Sequence, residues 1–412
     1  GSQMSRIFQT IGANPNNLGW FFLLPPLAGL IVQPIIGYYS DRTWAPKLGG
    51  RRLPYLLIGM VIAVIVMILL PNSGSFGFGY GSLAALWFGA ITVAFLDLSS
   101  NMAMQPFKMM VGDMVNDDQK SYAYGIQSLI CNTGAVLAAI FPFLLTWWGV
   151  SNTAKKGVVP QSVVISFYVG AVILVITCLF TIFRVHEYDP ATYARYHGIS
   201  EEDNKKGGNW FTLLKHAPRV FWNVALVQFF CWFSFQYLST YAVGAIAKNV
   251  WLTTDASSAA YQAAGNWYGV MTAVQSIAAV IWSYVLAKVP NNHHTAGYTF
   301  SLLLGAIGYT SIFFIHSQNA LIFSFVLIGI AWASMNTYPL TMVTNALSGK
   351  HMGTYLGLFN GSICVPQMVA SLLSFGLFPL LGSSQVNMML VTGISALLGA
   401  ISVLFIKETY QA

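Results

Sequence analysis

The chain has 412 residues, of which 56% are hydrophobic and only 8% are charged. A soluble domain carries roughly a quarter charged residues, so this composition excludes an ordinary soluble protein. The sequence has no basic stretch with interleaved aromatic residues that would bind nucleic acid. We therefore interpret the net charge of +7 as positive charge in the loops that sets the orientation of the protein in a membrane. The sequence therefore predicts an all-α membrane protein whose surface faces a lipid bilayer.

Long apolar segments recur along the chain, each near the ~20 residues that cross a bilayer as a helix. Residues 1–12 resemble the outer end of a further segment, so we expect twelve transmembrane helices with the first one truncated, and a natural chain that begins earlier. The complete segments cover residues 18–38, 53–71, 82–108, 121–148, 161–184, 219–247, 262–289, 297–315, 319–345, 353–381 and 386–406.

The long polar stretch after the sixth helix predicts a boundary between two domains. It separates an N-terminal six-helix bundle (1–185, with helix 1 incomplete) from a C-terminal six-helix bundle (219–412) through a linker (186–218). A shift of 233 residues aligns Pro106 with Pro339 and Cys131 with Cys364, which favours two pseudo-symmetric halves. Two such halves are typical of transporters that work by rocking.

Positive charge is distributed unequally between the loops on the two sides of the predicted bundle. The loops on one side hold only Lys155, Lys156 and Lys248, whereas those on the other side hold most of the remaining Lys and Arg residues. The positive-inside rule therefore predicts a multi-pass protein of the plasma membrane, with both termini and the central linker in the cytoplasm.

Helix 4 carries the most informative polar residues. Asp97 lies within an apolar run, where an ionised carboxylate is costly and is rarely found without a function. Asn101, Gln105 and Lys108 follow at positions +4, +8 and +11, on the same helical face. Lys108 is about 16 Å from Asp97 along the helix axis, so we expect Arg6 of helix 1 to be the charge partner of Asp97.

Other uncharged amides and aromatic side chains occur inside the apolar segments. Amides both donate and accept hydrogen bonds without adding charge, and aromatic rings offer flat faces, so these residues are candidates for binding a neutral polyhydroxylated substrate. The alternative for each amide is that it holds two helices together. The candidates are Gln127, Asn132, Trp232, Gln236, Trp267, Asn336, Tyr338 and Asn360.

The segment after helix 2 contains a recognisable motif. Gly37, Asp41 and Arg42, followed by Gly50-Arg51-Arg52, resemble the signature of the major facilitator superfamily. The wider stretches 32–42 and 50–54, together with the residues from Asp97 to Asp113, are similar to the proton-coupled sucrose and maltose symporters of the glycoside–pentoside–hexuronide group. The chain departs from that group at Lys108, where arginine is common, and in helix 7, where residues 235–245 carry no charge.

The resemblance implies the major facilitator fold and a bacterial proton/disaccharide symporter in which Asp97 both accepts the proton and contacts the sugar. We expect no cofactor beyond the proton, no metal, no nucleic acid and a monomer in the bilayer. Sodium/glycoside symport, proton-coupled drug antiport and a non-transporting sugar sensor remain open, and an enzyme is disfavoured because no catalytic constellation is present. The expected gating and coupling charges are Lys108, Asp113, Asp41, Arg42, Arg51 and Arg52.

Overall fold

The computed structural model describes residues 4–10, 13–72, 82–114, 117–155, 158–189, 191–192, 214–286, 289, 293–346 and 358–406. Within them the chain forms helices joined by short connections, and the one bridge between extended residues joins Ala45 to Gly50. The long helices are α1 (Met4–Thr10), α2 (Leu18–Arg42), α3 (Leu53–Leu69), α4 (Leu83–Met114), α5 (Asp117–Trp147), α6 (Gln161–Arg184), α7 (Arg219–Val250), α8 (Ala259–Leu286), α9 (His294–Phe314), α10 (Leu321–Ala346), α11 (Gly361–Leu380) and α12 (Gln385–Val403).

The helical architecture follows from the apolar composition. In hydrocarbon each backbone N–H and C=O needs a partner within the protein, and a helix supplies these partners locally. In the described part, seven helices are long and apolar enough to span a membrane by themselves. Prolines occur inside α5 (Pro142), α10 (Pro339) and α11 (Pro366, Pro379), as membrane helices tolerate. The prediction of an all-α membrane protein is confirmed.

The contacts between helices repeat in the two halves. In the first half α2 packs on α4, α3 on α4 and α3 on α6; in the second half α8 packs on α10, α9 on α10 and α9 on α12. Small residues permit the closest approaches. A Cβ at Gly59 of α3 would stand 2.9 Å from the Ser99 carbonyl oxygen of α4, and a Cβ at Gly308 of α9 would stand 2.7 Å from the Ser324 carbonyl oxygen of α10.

The two halves meet along two symmetric seams, in which α2 packs on α11 and α5 packs on α8, and α1 also contacts α7. Helices α1, α5 and α7 end, and α2, α8 and α12 begin, at the same end of the molecule. We call this end the closed end. Residues 240–247 of α7 are buried on all sides there. Away from this end, several described side chains of α5 are exposed, including Ile130, Cys131 and Thr133. The two halves therefore converge at the closed end.

Two of the predicted helix ends lie well before the ends that the structure shows. Helix α2 continues to Arg42, so residues 37–42 of the motif are helical and not part of a loop, and α4 continues to Met114 rather than ending near 108. Polar side chains appear in both extensions, which is why the hydropathy pattern stops before the helix does. The backbone bonds continue regardless, because a polar helix end can leave the hydrocarbon.

Candidate functional site

A cavity of about 620 Å³ lies between the two halves, midway along the helices. This volume falls within the range of ~300–1,000 Å³ that small-molecule sites occupy. Helices of both halves line it: α3, α4, α5 and α6 from the first half, and α7, α8 and α10 from the second. A cavity at this depth, shared between two pseudo-symmetric halves, is the place where secondary transporters bind their substrates.

Asp97 supplies a carboxylate to this cavity. It lies near the middle of α4, its side chain is half-buried, and Ser100 lines the same cavity one turn further on. The carboxylate makes no hydrogen bond or ion pair with another described side chain. Asp97 is therefore positioned to exchange a proton with the cavity or to accept hydrogen bonds from a bound molecule.

The remaining polar side chains of the cavity are mostly hydroxyls. Each of them donates its proton to a carbonyl oxygen of its own helix, three or four residues earlier, at 2.7–3.0 Å. This back-bonding leaves only oxygen lone pairs available to a ligand. The residues are Ser100, Ser166, Ser239, Thr272 and Ser276.

Aromatic rings form one wall of the cavity. The rings of Phe235 and Trp332 lie 4.5 Å apart at an angle of 34°, and both residues line the cavity. Trp232 meets them edge-on, at 5.7 Å from Phe235 and 5.6 Å from Trp332. Phe235 and Trp332 thus form the cavity wall, and the predicted candidate Trp232 packs against them without lining the cavity.

A separate polar network seals the closed end. Arg6 is 1% exposed, and its guanidinium donates from Nε to Gln262 Oε1 at 2.6 Å, from Nη1 to Asn266 Oδ1 at 2.6 Å and from Nη2 to Asn152 Oδ1 at 2.8 Å. Asn152 follows α5, whereas Gln262 and Asn266 belong to α8. Arg6 therefore ties the two halves together, in contrast to the expected pairing with Asp97.

Further hydrogen bonds between the halves lie in the same region. Ser5 Oγ donates to the Thr240 carbonyl oxygen at 2.7 Å, and Gln385 Nε2 donates to Gln9 Oε1 at 2.9 Å. The predicted sugar-binding candidate Gln236 donates to the Phe22 carbonyl oxygen at 3.0 Å and to Ser371 Oγ at 3.0 Å. The structure thus places Gln236 in the seam between α2, α7 and α11.

The other predicted candidates occupy varied places. The Asn101 amide donates to the Asp97 carbonyl oxygen, and the exposed Asn336 donates to the Trp332 carbonyl oxygen. Trp267 Nε1 donates to the Gln318 carbonyl oxygen, and Asn360 Nδ2 lies 3.7 Å from Cys364 Sγ at the start of α11.

Tyr338 and Gln127 complete the described candidates. Tyr338 is 2% exposed, with its ring against His294 and Tyr298 of α9, so it belongs to the interior of the second half and not to the cavity wall. Gln127 is half-buried on α5, and its Nε2 atom is buried with no hydrogen bond among the described residues. The side chains of Gln105, Asn132, Lys108, Asp113, Asp41 and Arg42 lie outside the described part of the structure.

Arg51 and Arg52 of the motif converge on Glu187, which follows α6. Glu187 Oε1 accepts hydrogen bonds from the backbone N–H groups of Arg52 and Leu53 at 2.8 and 3.1 Å, and thereby caps the first turn of α3. The Arg51 guanidinium lies 4.0 Å from Glu187 Oε2, and Arg52 donates to Ser40 Oγ of α2 at 2.5 Å. The motif therefore joins α2, α3 and the segment after α6.

The sequence pattern singles out Asp97 but none of the serine and threonine residues that line the cavity. Serine and threonine occur throughout membrane helices as interhelical or back-bonding residues, so no pattern along the chain singles out the ones that face a cavity. Gln275 and Tyr268 of α8 also line the cavity. The spacing of seven residues, two helical turns, places Tyr268 on the same helical face as Gln275 and is the signal by which Tyr268 could have been found.

Comparison with known proteins agrees with this architecture. The chain is 23% identical to the sucrose transport protein SUC4 of Arabidopsis thaliana over 384 residues, which are 85% of this chain and 75% of the relative. It is 23% identical to the sucrose transport protein SUT5 of Oryza sativa subsp. indica over 433 residues, covering 90% of this chain and 77% of the relative.

Solved structures share the fold. A D-xylose–proton symporter superposes with a TM-score of 0.70 at 14% identity, over 99% of this chain and 92% of that chain. The nucleoside transporter NupG superposes with a TM-score of 0.67 at 12% identity, over 98% of this chain and 93% of that chain. The sequence profile of the Major Facilitator Superfamily matches residues 3–371. The chain therefore belongs to the Major Facilitator Superfamily and is a membrane transporter rather than an enzyme.

Proposed function

We propose that the chain imports a neutral disaccharide, sucrose, maltose or a related α-glucoside, by proton symport. The observation that carries the proposal is the cavity between the two halves, with one described carboxylate, Asp97, among hydroxyl acceptors and aromatic rings. Sugar hydroxyls donate to such acceptors, and the apolar face of a pyranose ring suits an aromatic wall. The similarity to sucrose transport proteins supports the same substrate class.

The proposed cycle uses the two ends of the molecule in turn. The closed end is the extracellular side, in keeping with the few positive charges in its loops. In the state that is open to the outside, the two halves separate at this end, Asp97 takes up a proton and the neutral carboxyl group binds the sugar. Rocking of the halves then seals the network around Arg6 and exposes the cavity to the cytoplasm, where sugar and proton leave. A cavity that holds sugar while Asp97 is ionised would have to close around an unpaired charge at low dielectric, which opposes movement of the sugar without a proton.

The test is uptake by proteoliposomes that contain the purified protein. A panel of radiolabelled sucrose, maltose, free glucose and a cationic dye is supplied under an imposed inward proton gradient, with and without sodium. We expect sodium-independent accumulation of an α-glucoside that a protonophore abolishes. Accumulation that needs sodium, or export of the dye without sugar transport, would contradict the proposal and point to the corresponding alternative.

A further inference from the structure

The cavity contains many acceptors and few donors. Its five described serine and threonine hydroxyls each donate their proton to the backbone, and an ionised Asp97 carries acceptor oxygens alone. Such groups bind substrate hydroxyls, which can donate. They cannot bind the ring oxygen or the glycosidic oxygen of a sugar, because these ether oxygens have no proton to donate. A glycoside therefore needs donors from elsewhere in the wall.

Gln275 of α8 supplies such a donor. It is 6% exposed and lines the cavity, and its amide makes no hydrogen bond with another described residue. A side chain with two N–H donors and a carbonyl oxygen, nine-tenths buried yet unpaired, carries a desolvation cost that a ligand can relieve. By contrast, each amide described above for the closed end has a hydrogen-bond partner within the protein.

The position of Gln275 is fixed by close helix packing. Gly329 of α10 faces it, and a Cβ on that glycine would overlap the main-chain oxygen of Gln275 and contact Ala278. The backbone of α8 therefore lies directly against α10 at this level. Because this backbone is closely packed, the Gln275 side chain needs little reorganisation to bind a ligand.

Tyr268 stands on the same face of α8, seven residues earlier. Its ring packs edge-on against Phe325 at 5.9 Å, it is 3% exposed, and its hydroxyl has no hydrogen bond among the described residues. Tyr268 also lines the cavity. Two donors thus lie along one face of α8, about 10 Å apart along the axis, with the acceptor hydroxyl of Thr272 between them.

We propose that Gln275 and Tyr268 determine specificity by donating hydrogen bonds to the ether oxygens of a glycoside. The inference rests on the proposed function and adds to it that cyclic glycosides are preferred over open-chain polyols such as sorbitol. Polyols satisfy the acceptor hydroxyls equally well, but they leave the donors of α8 without an ether oxygen. The C-terminal half therefore selects the substrate, whereas Asp97 of the N-terminal half carries the proton.

The test compares Gln275→Met, which keeps the side-chain length and removes the donors, with the unaltered protein. Counterflow of the transported glycoside is competed with sorbitol and with an analogue whose glycosidic oxygen is replaced by sulfur, a weak acceptor. We expect the unaltered protein to prefer the glycoside over the sulfur analogue by about tenfold, the value of one hydrogen bond. In Gln275→Met this preference falls to roughly twofold and the KM for the glycoside rises about tenfold.

Gln228→Leu is the matched control, because Gln228 is equally buried but donates to the Met335 carbonyl oxygen away from the cavity. It should retain both the KM and the preference. Tyr268→Phe removes one hydroxyl only and provides a second variant if Gln275→Met folds poorly; its preference should also fall. Unchanged KM and preference in both variants, with normal glycoside transport, would overturn this inference alone. Absence of any glycoside transport by the unaltered protein would instead overturn the proposed function.

Discussion

The closed end and the central cavity use the same kinds of polar side chain in opposite ways. At the closed end, Arg6 and its amide partners are buried and hydrogen-bonded to one another across the two halves. In the cavity, Asp97 and Gln275 have no described protein partner. A buried polar group that is satisfied by the protein holds helices together, whereas one left open toward a cavity is available to a substrate. Whether a polar side chain stabilises the fold or is available to bind a substrate therefore depends on its hydrogen-bond partner and not on its residue type.

The strongest test of this comparison is Asp97→Asn. Without a titratable group the cavity can still bind sugar but cannot couple its movement to protons. A gradient of two pH units, which can support about 100-fold accumulation at one proton per sugar, should then yield none. Sugar counterflow without a gradient should persist. Asp255→Asn, which removes an exposed carboxylate in the α7–α8 connection, should accumulate normally; concentrative uptake by Asp97→Asn would disprove the role of this residue.

The next largest effect is expected from Arg6→Gln. The substitution removes charge-assisted hydrogen bonds to Asn152, Gln262 and Asn266, each worth roughly 1.5–3 kcal/mol in the closed end. The equilibrium should shift toward the state that is open at this end. Hydrogen–deuterium exchange measured by mass spectrometry should accelerate about tenfold or more in α1 and in the first turns of α8. Arg184→Gln, on the exposed end of α6, is the control, and protection equal to that of the control would contradict the sealing role.

A smaller effect is expected at the opposite side of the molecule, where Glu187 caps α3. Glu187→Ala leaves the N–H groups of Arg52 and Leu53 without their acceptor and should lower the free energy of unfolding by about 1–2 kcal/mol. The melting temperature in detergent should fall by roughly 2–4 °C. Glu187→Gln keeps an acceptor oxygen and should lose less. Asp189→Asn changes a nearby exposed carboxylate that, among the described residues, accepts hydrogen bonds from Ala191 and Thr192 of its own turn, and an equal loss there would refute the capping role.

The smallest effect is expected for Tyr338→Phe. Its ring packs between His294 and Tyr298 inside the second half, away from the cavity. The KM for the transported sugar should stay within about twofold of the original value, since no ligand contact is removed. A rise comparable to that of Tyr268→Phe would restore Tyr338 to the binding site and weaken the distinction between packed and open polar groups.

Local pattern accounts for what could be predicted. Apolar segments of membrane-spanning length predicted the helices, and the residues from Gly37 to Arg52 indicated the superfamily. The cost of a carboxylate in an apolar run singled out Asp97, which the structure places in the cavity. These features depend on composition and on spacing of a few residues, and a single helix expresses them without its neighbours.

The partners of the polar residues depend on how distant helices pack. Arg6 and Gln262 are separated by 256 positions, and Gln236 and Phe22 by 214. No periodicity in either segment distinguishes an amide that bonds another helix from one that faces a cavity, because both are equally buried and equally rare. The sequence by itself determined the helices, the family and the one carboxylate. Only the tertiary structure decided that Arg6 and Gln236 join the two halves while Gln275 remains open to a ligand, since burial and pairing are properties of the assembled bundle.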